Sequence, residues 1–134
     1  MAKYILLIAS MLLAHNTPLF AEDMVNKVLQ DYQSQGAGEF SVEAGKTLWS
    51  GEITHAESPT TRSCASCHGR DLTQSGKHAK TGKIIKPMSL TVNPQRFTDQ
   101  AKIEKWFLRN CKWTWGRECN VQEKGDILLF LSKQ

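Results

Sequence analysis

The chain has 134 residues, 17 basic and 13 acidic, with a formal net charge of +4 and 40% hydrophobic residues. That length suits one small domain, and so slight a positive balance gives no nucleic-acid-binding signature. No internal repeat or low-complexity tract interrupts it.

The first 21 residues read as an export signal. Lys3 supplies a positive start, and Tyr4 to Ala14 is a run of eleven residues, apolar except for Ser10, short of the roughly 20 that a membrane-spanning helix needs. Pro18 breaks the run, and Ala21 is the expected last signal residue, although Leu19 is not ideal at the −3 position. Residues 22–134 are then the mature domain, with 16 basic and 13 acidic residues and no membrane span. Export implies the periplasm, an oxidising compartment in which leftover thiols pair.

Glu22 to Gln35 reads as an amphipathic helix, because Met24, Val25, Val28, Leu29 and Tyr32 recur at helical spacing. Gly36 and Gly38 end it. A second short helix runs from Val42 to Trp49 with Ser41 as its N-cap; Leu48 and Trp49 face the core and Gly51 stops it. Glu52 to Arg62 reads as a polar loop, and His55 within it as a solvated residue.

The segment Cys64-Ala65-Ser66-Cys67-His68 is C-x-x-C-H, the attachment pattern of c-type haem. Two thiols three positions apart can each add to one vinyl group of a single haem, and the adjacent His68 can give the iron an axial nitrogen. Half of a zinc site is the rival for C-x-x-C, but zinc needs a second Cys or His pair. Cys111 and Cys119 are too far apart to form such a knuckle. The cofactor expected is therefore one covalent haem c, forming much of the core.

Gly69 to Lys86 has no convincing period, and Gly76 and Gly82 punctuate it as a loop. Lys77, Lys80, Lys83 and Lys86 recur there every three residues. They read first as a solvated face, with a docking patch for an acidic redox partner as the functional alternative. His78 follows His68 too closely to reach the opposite haem face. Pro87, Met88 and Pro94 bracket an extended segment, and the carbonyl of Lys86 or Pro87 is a candidate acceptor for the second ring nitrogen of His68.

Thr98 to Asn110 reads as the clearest helix, capped by Thr98, with Ile103, Trp106, Phe107 and Asn110 on one face. By spacing alone, Asn110 is a C-terminal cap. Cys111 and Cys119 flank an expected loop, Lys112 to Glu118, and in an exported protein they should form a disulfide. Trp113 and Trp115 within the loop read as apolar cover for that end of the haem. Asn120 and Glu123 make a capping-box pair for a last helix to about Leu131. Gly125 inside it either admits a neighbouring helix or is incidental.

From Cys64 to Leu131 the chain resembles the sphaeroides haem protein (SHP) family and its relative cytochrome c-double-prime. The resemblance rests on Cys64-Ala65-Ser66-Cys67-His68, Thr81-Gly82-Lys83, Val92-Asn93, Arg96-Phe97-Thr98-Asp99 and the Cys111/Cys119 pair. It implies an all-α, class I-like cytochrome c fold with an extra N-terminal helix, one haem and one disulfide. It also implies a distal iron ligand just before the first disulfide cysteine, here Asn110, opposite His68. The family further implies release of that asparagine on reduction, binding of oxygen or nitric oxide at the freed site, and a dihaem cytochrome c as electron donor. The chemistry agrees, since a neutral amide is a hard, weak ligand that suits ferric better than ferrous iron.

Two rivals stand beside this. One is an ordinary His/Met electron carrier using Met88, although Met88 also reads as a packing residue. The other is a small haem oxygen or peroxide reductase, for which no distal histidine–arginine pair is evident.

Overall fold

A computed structural model describes residues 19–56 and 58–134; the expected signal sequence lies almost wholly outside them. Five helices and two small hairpins follow in the order α1 (Leu19–Ser34), α2 (Val42–Ser50), β1 (Ile53–His55), β2 (Ser58–Arg62), α3 (Ala65–His68), β3 (Gly76–Lys77), β4 (Ile84–Ile85), α4 (Gln100–Trp115) and α5 (Val121–Ser132). None of the described helices is long and apolar enough to cross a membrane.

α5 is the element around which the others pack. Its start is fixed by the capping box: Asn120 Oδ1 accepts from the Glu123 N–H at 2.9 Å, and Glu123 Oε2 accepts from the Asn120 N–H at 2.9 Å. Its residues Gly125, Asp126, Ile127, Leu128, Phe130 and Leu131 are all buried, so it is enclosed rather than amphipathic. Ile127, Phe130 and Leu131 join Trp49, Leu72 and Met88 in one apolar cluster. Leu128 joins Val25, Val28, Tyr32 and Ile103 in a second. The α1 face expected from its periodicity is the one buried. The helix nevertheless begins at Leu19, so it reaches back across the expected cleavage point after Ala21.

α2 crosses α5 at Gly45. A Cβ there would overlap the Asp126 carbonyl and touch Phe130 Cβ, so only glycine lets the two backbones meet this closely. The buried Asp126 carboxylate accepts from the Ser41 N–H at 2.7 Å, at the positive end of α2. Ser41 also caps α2, its Oγ accepting from the Ala44 N–H at 3.2 Å. Gly125 has a different role from the helix approach considered for it: the Phe40 ring lies directly over it. A polar link ties α1, α4 and α5 together, with the Tyr32 hydroxyl donating to Glu104 at 2.5 Å and Lys124 pairing with the same carboxylate at 2.8 Å. Burial, with Glu104 adding to it, pushes the Tyr32 hydroxyl well above its ordinary pKa.

Four local expectations are corrected. Glu52–Arg62 is an antiparallel hairpin pairing Ile53 with Arg62 and Thr54 with Thr61, not an irregular loop. Residues 76–77 and 84–85 pair as a second hairpin. Asp99, not Thr98, caps α4, its Oδ1 accepting from the Lys102 N–H at 3.2 Å. Finally, α4 runs on through Cys111 to Trp115 and ends where Gly116 takes a left-handed φ of 70°. Asn110 is therefore inside a helix and caps nothing. The disulfide joins Cys111 to Cys119 as expected, with the Cα atoms 5.7 Å apart, but it clamps a helical turn rather than closing a loop.

Two outcomes follow from these contacts. Gly45→Ala gains about 1 kcal/mol of helix propensity but forces backbone against backbone, where overpacking costs about 1–3 kcal/mol or more; net destabilisation is expected in denaturant melts of the holoprotein. The unfolded, unreduced protein should show no maleimide-reactive Cys111 or Cys119, and reducing the bond should cost roughly 2–3 kcal/mol by loop-closure entropy.

Candidate functional site

α3 is a single helical turn, and its sequence fixes it twice. Ser63 and Ser66 cap each other: the Ser66 N–H donates to Ser63 Oγ at 3.1 Å, and the Ser63 N–H donates to Ser66 Oγ at 3.0 Å. Gly69, at φ 78°, ends the turn while its N–H reaches the Ala65 carbonyl at 2.8 Å. The turn puts Cys64, Cys67 and His68, at i, i+3 and i+4, along one face. Neither the buried Ser63 nor this reciprocal cap was foreseen, although the S-x-x-S spacing carries it.

The surroundings make the three side chains chemically distinct. Burial pushes the Cys64 thiol up to about 11, so it stays protonated and is a poor redox nucleophile. Among the described residues no group of three or more His, Cys, Asp or Glu side chains converges on a shared point, so the cysteines lack the partners of a tetrahedral zinc set. Cys67 Sγ accepts from the Ala79 N–H at 3.4 Å. Burial, with the Arg96 charge adding to it, lowers the His68 imidazole to about 4. The ring is therefore neutral near pH 7, with a lone pair to donate. Trp49 packs against it with centroids 5.2 Å apart and donates its indole N–H to the Gly69 carbonyl at 3.4 Å.

The carbonyl expected to receive His68 Nδ1 is otherwise engaged. Pro87 O accepts from Asn93 Nδ2 at 2.9 Å and from Arg96 Nε at 3.0 Å, and Lys86 O accepts from an Arg96 amine at 2.5 Å. The turn through Asn93 folds both side chains back onto the 86–87 segment and fills those acceptors. His68 Nδ1 is buried without a partner among the described residues. Met88 is buried in the first cluster, and its N–H donates to the carbonyl of Leu72, four residues beyond His68. It thus sits with the chain just past His68.

α4 packs on the same apolar cluster as α3. Ile103, Phe107, Asn110 and Thr114 form its inward stripe; Ile103 and Thr114 are buried, and Phe107 packs against the cluster that contains Cys64. Asn110, in the middle of the stripe, is exposed, so no side chains pack over it at that turn. The two aromatic residues expected as cover part company. Trp115 packs on the first cluster with its indole N–H buried and, among the described residues, unpartnered. Trp113 turns toward the first hairpin, under the Arg62 guanidinium at 4.9 Å.

That hairpin holds the end of α4. His55 Nε2 donates to the Thr114 carbonyl at 2.7 Å, and Arg62 donates to the Trp113 carbonyl at 2.9 Å. Two carbonyls a helix end would leave open are thereby satisfied. His55 is accordingly a structural donor, not a solvated loop residue. His78 closes the tip of the second hairpin, its Nδ1 accepting from the Thr81 N–H at 3.1 Å.

A haem fits this arrangement. It would take its proximal nitrogen from the neutral His68 ring, whose Nδ1 is the buried, non-ligating nitrogen. It would also lie on the apolar cluster shared by Cys64, Phe107 and Trp115.

Comparison with known proteins agrees. The family model "Domain of unknown function (DUF1924)" matches residues 35–131. The cytochrome c-type protein SHP of Cereibacter sphaeroides is 38% identical over 108 residues, covering 81% of this chain and 82% of the relative. A solved structure of oxidised SHP, described as an oxygen-binding cytochrome c, is 36% identical, covers 82% of this chain and 96% of its own, and superimposes with a TM-score of 0.73. A solution structure of cytochrome c'' from Methylophilus methylotrophus, described in connection with haem-ligand detachment, gives a TM-score of 0.69 at 30% identity over 85% of this chain and 93% of its own. The chain belongs to the SHP and cytochrome c'' family of c-type cytochromes, non-enzymatic haem proteins, and its cofactor is haem c.

Proposed function

We propose that this protein is an exported, periplasmic electron carrier whose asparagine ligand opens a binding place for oxygen, nitric oxide or a similar diatomic when the protein is reduced. Haem supplies a one-electron centre and, where an axial position is free, a site for small diatomic molecules. Cys64 and Cys67 hold it through thioethers, the neutral imidazole of His68 gives the proximal nitrogen, and the Asn110 amide oxygen is the distal donor in the ferric state. The observation that carries this is the exposed Asn110 in the middle of an otherwise inward stripe, one residue before the buried Cys111–Cys119 bridge.

Asn110 is suited to letting go. An amide oxygen is neutral and hard, and it loses more than a histidine nitrogen would when the metal charge falls. The helix that carries it is held at its end by His55, Arg62 and the disulfide. Release would then need only a side-chain rotation, and the amide N–H would stay on the same helix turn, able to donate to a diatomic held there. Met88 is a packing residue in this scheme: its burial in the cluster and its tie to the Leu72 carbonyl keep it on the His68 side. Residues 1–21 act as the cleaved signal, and the disulfide is in keeping with the oxidising periplasm. The resemblance supplies the electron donor, a dihaem cytochrome c.

Two measurements test this. Acid–acetone should leave the pigment on the protein at one haem per chain, and Cys64→Ala with Cys67→Ala should release it; extraction from the wild type would remove the thioethers from the scheme. In visible spectra, ferric protein should be six-coordinate, and ferrous protein high-spin and quick to bind carbon monoxide. Asn110→Ala should strengthen azide binding to the ferric form by about tenfold or more, roughly 1.4 kcal/mol, Asn110→His should keep the ferrous form low-spin, and Met88→Leu should change neither spectrum. A ferrous wild type that ignores carbon monoxide while Met88→Leu alters the spectrum would make Met88 the ligand.

A further inference from the structure

The charge of this molecule is segregated. From Leu72 to Thr98 there are five basic residues (Lys77, Lys80, Lys83, Lys86 and Arg96) and no acidic one. The rest of residues 22–134 carries eleven basic and thirteen acidic residues, so the positive balance of the domain resides entirely in this one stretch. The fold sets it against α3. Gly76 approaches so closely that a Cβ would overlap the Cys67 carbonyl and crowd His68 Cα, and the Ala79 N–H reaches Cys67 Sγ at 3.4 Å. The four lysines thus stand on a hairpin in backbone contact with the segment that reads as the haem attachment. All four are exposed. Among them Ile84, paired with Lys77 across the hairpin, is 65% exposed, an apolar contact inside a basic surround, as in the centre and rim of a transient protein interface.

We propose that the hairpin of residues 76–86 is the docking surface for an acidic redox protein, with Ile84 as the apolar contact and Lys77, Lys80, Lys83 and Lys86 as the steering charges. The proposal rests on the electron-carrier reading above and adds where the partner sits and what recognises it. A basic face on an otherwise slightly acidic domain orients an acidic partner before contact, which raises the association rate in a salt-dependent way. It would bring the partner to the edge of the protein nearest Cys67, shortening the path to the cofactor.

The test uses the holoprotein and photoreduced flavodoxin, an acidic one-electron carrier, as the probe. The second-order reduction rate should fall about tenfold or more as salt rises from about 10 to 300 mM, because the charges act within about one Debye length. Combined Lys77→Glu, Lys80→Glu, Lys83→Glu and Lys86→Glu should lower the low-salt rate by about tenfold or more and invert the salt dependence, since salt then screens a repulsion. Ile84→Ser should lower the rate at high salt while leaving the salt slope intact. Reduction by a neutral free flavin should be unchanged in every variant, which separates docking from any change at the haem. An equal rate loss on reversing Lys27, Lys46, Lys105 and Lys133, which lie outside the stretch, would mean that only net charge matters and would overturn the proposal. So would salt-resistant sedimentation of the wild type with phosphatidylglycerol vesicles, which would assign the face to a lipid surface. Failure of carbon monoxide binding would overturn the asparagine switch without touching this result.

Discussion

The crossing of α2 over α5 at Gly45 is the contact on which the rest of the site depends. With no side chain between them, the two helices meet backbone to backbone, and the Asp126 carboxylate locks the start of α2 through the Ser41 N–H. A buried carboxylate is costly unless its oxygens are bonded; here Ser41 and Gln122 both donate to it. The crossing fixes the direction in which α2 leaves α5, and hence where Trp49 points. Trp49 in turn braces the His68 ring and holds the Gly69 carbonyl. A change at Gly45 is thus transmitted to the imidazole through one rigid aromatic side chain.

The opposite wall is held by different means. α4 has the weaker apolar stripe, with only Ile103, Cys111 and Thr114 buried. It is secured at its ends: by the Tyr32–Glu104–Lys124 link in its first half, and by the disulfide, His55 and Arg62 in its last turn. The middle, where Asn110 lies, is left free of protein packing. One wall is set by close packing and the other by anchored ends, which would suit the fixed proximal and movable distal residues of the proposed function.

Much of this was legible because it rests on local chemistry. Ser41, the Asn120–Glu123 box, the burial pattern of α1 and the C-x-x-C-H turn all speak through spacing of a few residues. What was missed depends on contacts distant in sequence. Gly45 is a penalty in an isolated helix, and only its partner 81 positions on, Asp126, makes it a requirement. The Ile53–Arg62 hairpin is polar and exposed, so it lacks the alternation that marks a half-buried strand; its stability comes from His55 and Arg62 bonding the end of α4. Reading Lys112–Glu118 as a loop followed from the two cysteines, yet a disulfide eight residues long can clamp a helix end, and that error made Asn110 look like a cap. Its proposed role entered through family resemblance, because nothing in an isolated asparagine distinguishes a ligand from a cap.

The bridge between Cys111 and Cys119 has one more consequence, for selectivity. A distal donor carried on a helix anchored at both ends is present at a fixed local concentration, set by the fold and independent of dilution, on the order of millimolar or above for a tether this short. Any outside molecule must compete with that built-in rival, and its apparent affinity falls by the fraction of time the site stands open. On the proposed reading, water and common anions, being weak, would be kept out by the tethered amide, whereas a diatomic that favours the reduced state would meet a rival already weakened by reduction. Selection would then be exercised by the oxidation state of the protein rather than by the shape of a pocket.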